Sequence, residues 1–161
     1  MVVERPSLTC GLLLVLAVGI AGCGSVYTSG RQFSRGAITP RSAWKASGTL
    51  KDPAKALDGD LLTAAVSEGN YKDATLDIDL GEVCLFNMVA IDHGPDEMGF
   101  CGRVAAETSV DGKEFTRRAE APGTRKVTIV SLITPVLARY LRLRAVDVGV
   151  EAWSVAEVHL Q

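Results

Sequence analysis

The stretch Thr75–Glu82 reads "TLDIDLGE". Leu76, Ile78 and Leu80 fall on one side of an extended chain and Thr75, Asp77 and Asp79 on the other, the two-residue period of a strand with one buried face. Downstream, "LFNMVAID" (Leu85–Asp92), "RVAAETSV" (Arg103–Val110), "KVTIVSL" (Lys126–Leu132), "ARYLRLRAV" (Ala138–Val146) and "WSVAEVHL" (Trp153–Leu160) follow. Most are rich in β-branched or aromatic residues and are separated by Gly, Pro or Asp. Asp111-Gly112 signals a two-residue hairpin turn. No segment carries an amphipathic helical stripe over three turns. Many short strands with turn signals at this spacing predict an all-β antiparallel sandwich or jelly roll.

Upstream, the N-terminus is organised differently. "MVVERPSLTCGLLLVLAVGIAGC" places an apolar run from Leu12 to Ile20 after a short flank holding Glu4 and Arg5. That run is too short to span a bilayer and has the length of a signal-peptide core. Its end, Ile20-Ala21-Gly22-Cys23, resembles the bacterial lipoprotein box, which implies a signal peptide over residues 1–22 and acylation of Cys23. Acyl chains contribute about 0.8 kcal/mol per buried methylene, so two or three would hold the protein to a membrane without a span. The resemblance implies a bacterial cell envelope location, at the outer membrane or cell surface. Residues 23–43, rich in Gly and Ser, read as a tether, with the folded domain over 44–161.

Composition narrows the partners. With 17 Lys and Arg against 19 Asp and Glu, the net charge is −2, and loss of Glu4 and Arg5 leaves it unchanged. Nothing in that balance points to nucleic acid. Cys84 and Cys101 remain in the folded part, and an even pair in an oxidising compartment suggests a disulfide. In a simple hairpin around "HGPDEMGF" the two would lie far apart, so either they are bridged or they are two small buried apolar side chains.

Six motifs occur in an order more specific than the fold class: "KAS" (Lys45–Ser47), "ALDGDLLT" (Ala56–Thr63), "LDIDLGE" (Leu76–Glu82), "ETSVDGKEF" (Glu107–Phe115), "ARYLRL" (Ala138–Leu143) and "WSVAEVHL" (Trp153–Leu160). Together they resemble the discoidin, or coagulation factor five/eight type C, family of galactose-binding-like jelly rolls. The resemblance implies an eight-stranded antiparallel β-sandwich. It also implies a structural Ca²⁺ held by Asp58, Asp60, Thr63 and Glu157, although Asp58-Gly59 is equally what a tight turn looks like. The sequence departs from the family at Ala65, where a Trp is usual, at Val104, where a Tyr is common, and at Phe115, which replaces a Trp.

Carbohydrate-binding relatives use loops at one end of the sandwich, with an aromatic ring for the sugar face and His, Arg or Asn for the hydroxyls. Here "DHGPDEMGFCGR" offers His93, Phe100 and Arg103, and "SEGNY" offers Asn70 and Tyr71. The chemical types suit sugar recognition. Arg103 could instead pair with Asp96 or Glu97, and Arg139, Arg142 and Arg144 either form a basic stripe or keep a strand soluble. No nucleophile turn, His-rich zinc spacing or phosphate loop is present, which argues against an enzyme. Two function classes follow: a membrane-anchored envelope lipoprotein binding a glycan, or a protein-interaction module of an envelope complex.

Overall fold

The computed structural model describes residues 37–69 and 71–161. The signal segment, Cys23, the tether as far as residue 36 and Asn70 lie outside the described residues. Strands β1 (Lys45–Gly48), β2 (Ala65–Val66), β3 (Thr75–Asp92), β4 (Arg103–Ser109), β5 (Thr116–Pro122), β6 (Val127–Asp147), β7 (Ser154–Val155) and β8 (Glu157–Leu160) account for the regular structure, with two 3₁₀ turns at Arg41–Ala43 and Pro53–Leu57. All pairings are antiparallel, in the order β1-β3-β6-β4-β5, with β8 pairing the second half of β3 on the edge that β1 pairs in the first, and β2 paired to β7. The all-β sandwich read from the alternation is what forms.

The strands are distributed differently from the expectation. The two segments "TLDIDL" and "LFNMVAID" are one strand, β3, and "KVTIVSL" and "ARYLRLRAV" are one strand, β6. The two pair along most of their length, Thr75–Asp79 with Tyr140–Arg144 and Cys84–Asp92 with Val127–Ala138. Between these runs the ladder slips twice: residues 80–83 of β3 face only Arg139, and residues 132–135 of β6 face only Asn87. Such bulges bend a strand and change which side chains face inward. Buried positions in β3 accordingly run Leu76, Ile78, Leu80, Cys84, Phe86 and then Val89, Ile91; in β6 they run Thr128, Val130, Leu132, Ala138 and then Leu141, Leu143, Ala145. Each long strand turns a corner, its halves serving opposite layers of the sandwich. Trp153, Phe86 and the inward Leu, Ile and Val residues of both layers form one core.

The folded body begins before Trp44. Thr39 donates to the Leu80 carbonyl at 2.6 Å, and the buried Trp44 indole donates to the Thr39 hydroxyl at 2.9 Å. Through these two bonds residues 37–43, expected as tether, form a strap on the domain. The Asp111-Gly112 turn also differs from expectation. Residues 110–115 form a longer loop in which Asp111 Oδ1 accepts from the Ser109 hydroxyl and the Lys113 and Glu114 amides. Phe115 lies under the Arg142 guanidinium, whose Cζ is 4.0 Å from the ring centre.

Cys84 and Cys101 are both free and buried. Cys84 is opposite Ala138, whereas Arg103, two residues beyond Cys101, is opposite Asp147. At about 3.3 Å per residue those partners are roughly 30 Å apart along β6, far beyond the reach of a disulfide. The two thiols are small apolar fillers, and burial pushes the Cys101 thiol up to about 12. Alkylation followed by peptide mass spectrometry is expected to leave both unmodified in the native chain and to label both after denaturation without reductant. Recovery of a linked Cys84–Cys101 peptide pair would contradict this arrangement.

Candidate functional site: the loop cluster

Four connections meet where the layers open: residues 67–74, 93–102, 123–126 and 147–153. Tyr71 clasps two of them, its hydroxyl donating to the Glu151 carbonyl at 2.9 Å and accepting the Gly149 amide. The backbones are too close for side chains. A Cβ on Gly149 would lie 2.0 Å from the Phe100 carbonyl oxygen, and one on Gly123 would lie 1.8 Å from that of Cys101. His93 N–H donates to the Lys126 carbonyl at 2.8 Å, joining the third contact. A Cβ on Gly94 would lie 2.8 Å from the Leu61 carbonyl oxygen, so the acidic loop 58–63 adjoins the same cluster.

Four of the expected sugar-contacting residues, His93, Tyr71, Phe100 and Arg103, are brought to this end of the domain, but at different depths; Asn70 lies outside the described residues. His93 is fully buried, which corrects the reading of it as a surface ligand. Its Nδ1 lies 2.7 Å from the Ser154 carbonyl oxygen, which can only accept, and its Nε2 lies 2.8 Å from the Thr128 hydroxyl. Those partners fit a neutral ring protonated at Nδ1. Burial lowers its pKa from the ordinary value, outweighing the Ser154 carbonyl and the Asp92 and Asp96 carboxylates, which act in the other direction. Tyr71 is also buried, so it ties loops instead of offering a ring to a ligand. Phe100 is half-buried, its ring centre 6.3 Å from that of His93. Arg103 is exposed and pairs with Glu120 at 3.0 Å and Asp147 at 4.0 Å, not with the Asp96 or Glu97 of its own loop. Of the four that are described, Phe100 and Arg103 reach the surface.

The acidic loop is built as a self-closed turn. Asp58 accepts the Asp60 amide at 2.9 Å and the Thr63 hydroxyl at 2.7 Å, and these bonds, the Thr63 one first, hold its carboxyl below the usual range. Asp60 accepts the Leu62 amide at 2.9 Å. Glu157, 2% exposed, accepts the Gly59 amide and forms an ion pair with the Arg41 guanidinium. A Ca²⁺ shell needs six to eight oxygens aimed at one point. Among the described residues no three of His, Cys, Asp or Glu converge as a metal-binding group. The four residues expected to hold Ca²⁺ do not fit it in this arrangement, because the carboxylates are committed to amides, a hydroxyl and an arginine.

The arginines of β6 are paired with carboxylates. Arg139 and Arg142 each grip one carboxylate through two nitrogens, Asp79 at 2.8 and 2.9 Å and Asp77 at 2.7 and 2.8 Å. Burial opposes the charged form of Glu107, yet hydrogen bonds from Arg144 and Arg117 hold its carboxyl below the ordinary value. The arginine series is thus the outer half of an ion-pair ladder across β3, β6, β4 and β5, not a free basic stripe. Arg41 and Glu107 were not singled out from the sequence. A buried-strand position for Glu107 facing arginines on both neighbouring strands becomes visible only once β4 lies between β5 and β6.

Residues 37–158 match the F5/8 type C domain. The chain belongs to that family. Solved structures with the same fold include the family 32 carbohydrate-binding module of NanJ from Clostridium perfringens in complex with galactose. It is 21% identical with a TM-score of 0.67, covering 78% of this chain and 97% of its own. The module CpGH89CBM32-5 from C. perfringens, in complex with GalNAc-β-1,3-galactose, is 18% identical with a TM-score of 0.68, covering 75% and 96%. A variant of chitosan-binding module 1 from a Paenibacillus sp. IK-5 chitosanase/glucanase is 17% identical with a TM-score of 0.61, covering 73% and 91%. No curated protein matches this F5/8 type C chain.

The buried imidazole gives a pH signature. With the folded pKa of His93 held below its ordinary value near 6.5, the unfolded chain takes up the proton first. Stability is full above that value and falls as the pH drops toward the folded pKa. Denaturant unfolding between about pH 7.5 and 5 should show this loss in the native chain and less of it in His93→Gln. His159, also lowered mainly by burial, contributes equally to both proteins and drops out of the comparison. Leaving Ser154 and Thr128 without their partner should cost His93→Gln about 1–3 kcal/mol at neutral pH.

Proposed function

We propose that this F5/8 type C domain is a non-catalytic carbohydrate-binding module that takes its ligand at the loop cluster. The carrying observation is that the converging loops hold a half-buried aromatic ring, Phe100, and three residues further along the chain an exposed guanidinium, Arg103, with the Glu120 and Asp147 carboxylates beside it. A sugar offers an apolar ring face and a fan of hydroxyls, and these groups match both. His93 and Tyr71 act one layer below, holding the loops. The sugars bound by the solved relatives support this reading.

Absence of catalysis is supported by the state of the candidate groups. Both nitrogens of His93 are occupied inside the protein, and Asp77 and Asp79 are locked in two-pronged arginine pairs. None is presented in a cleft with a free proton to move. In the same reading, acylated Cys23 holds the domain at the bacterial cell envelope. A second reading, a module that docks an envelope protein, is favoured by the outward side chains of Leu85, Ile129, Ile133 and Leu137, of which Ile133 is 96% exposed.

A glycan and polysaccharide array probed with the full chain in detergent is expected to return one sugar class. Arg103→Ala should weaken that binding by about tenfold or more, the loss of one charge-assisted hydrogen bond, with little change in melting temperature. Silence of folded protein on a broad array would overturn the sugar reading in favour of protein docking. Cys23→Ala should move the chain from the membrane to the soluble fraction; continued membrane retention would overturn the anchor.

A further inference from the structure

We infer that Arg41 is the resident cation of the 58–63 loop, a side chain standing where the family resemblance implies a metal ion, so that this domain needs no calcium there. The reasoning starts from Glu157. Its carboxylate is 2% exposed at the head of β8, and a charge taken out of water must be neutralised by a partner close by. One oxygen takes the Gly59 amide, and the other faces the Arg41 guanidinium in an ion pair.

Arg41 is placed for this role by the strap. It opens a 3₁₀ turn directly after Pro40, whose ring fixes the chain direction, and the Trp44 amide closes the turn by donating to the Arg41 carbonyl at 2.9 Å. The strap is itself fastened through Thr39 to Leu80 and Trp44. The guanidinium Cζ lies 6.0 Å from the centre of the Trp44 ring. Burial weakens the charged form of Arg41, while the Asp58 carboxylate favours it in addition to the Glu157 pair.

A guanidinium differs from Ca²⁺ in ways that fit the rest of the loop. It carries one permanent charge in a plane and needs acceptors, whereas Ca²⁺ needs a shell of oxygens with free lone pairs. The loop supplies the first and ties up much of the second, since both carboxylate oxygens of Asp58, one of Asp60 and the Thr63 hydroxyl are engaged with one another and with loop amides. Two cations cannot occupy the same few ångströms beside one carboxylate.

The test is thermal unfolding of the full chain in millimolar CaCl₂ and in excess EDTA, with calorimetric titration of Ca²⁺ into the EDTA-treated and dialysed protein. The native chain should melt at the same temperature in both and take up no Ca²⁺. Arg41→Ala should melt about 10 °C lower, because it leaves a buried carboxylate uncompensated. Arg41→Lys should retain much of the stability. Adding Glu157→Gln to Arg41→Ala should recover most of the loss, the mark of coupled partners. A calcium-dependent rise in the native melting temperature would overturn the proposal even if every variant failed to fold. So would an Arg41→Ala protein as stable as the native chain, or strictly additive losses in the double variant.

Discussion

The structure depends on one constraint: β3 and β6 must stay hydrogen-bonded to each other while both pass from one layer of the sandwich to the other. A ladder in perfect register cannot do this, because each strand would carry the same face inward along its whole length. The two slips, one taking up extra residues in β3 and the other in β6, allow the bend and reset the inward face of each strand. Gly81, at φ +81°, supplies a backbone conformation at the first slip that a side chain would resist. Everything else attaches to this bent pair: β1, β4 and β5 extend one layer, β8 extends the other, and the connections between strands gather at the open end.

How much of this could be read from the sequence follows from what alternation encodes. Leu76, Ile78 and Leu80 announce a strand with one buried face, and that reading holds residue by residue. What alternation does not encode is where one strand ends and the next begins when a bulge intervenes, which is why β3 and β6 each look like two elements. His93 shows the converse case. Val89, Ile91 and His93 share parity on one strand run, so the pattern already placed the imidazole inside, and only its chemical type suggested a ligand. Tyr71 and Arg103 depended on non-local partners, Gly149 and Glu151 for one and Glu120 and Asp147 for the other, and no local pattern reports those. Arg41 sat in a segment whose Gly and Ser content masked a strap. Its role is set by Glu157, 116 positions later in the numbering.

Three buried or nearly buried ionisable groups are handled in three physically distinct ways. Glu107 stays charged between two arginines on the outer face of a central strand. His93 is kept neutral by burial and satisfied by one acceptor and one hydroxyl. Glu157 is matched by a guanidinium carried in on a separate segment. Each solution fixes an element: β4 against β5 and β6, the 93–102 loop against β6 and β7, and the strap and acidic loop against β8. The polar interior therefore determines which loops lie together, and the apolar core supplies the bulk of the cohesion.

The strap has one more consequence. Thr39 bonds to Leu80 and Ala43 lies against Gly81, while Gln161 exchanges backbone bonds with Met88, so the strap and Gln161 both lie beside the corner of β3. The loop cluster occupies the far end, where Asp92, Val127 and Asp147 terminate their strands. A pull or a leash applied through the residues preceding Ala37 thus grips the sandwich by its closed heel and aims its open rim outward. Contact at that rim would load the domain along its long hydrogen-bonded pair, in shear, where many bonds must yield together.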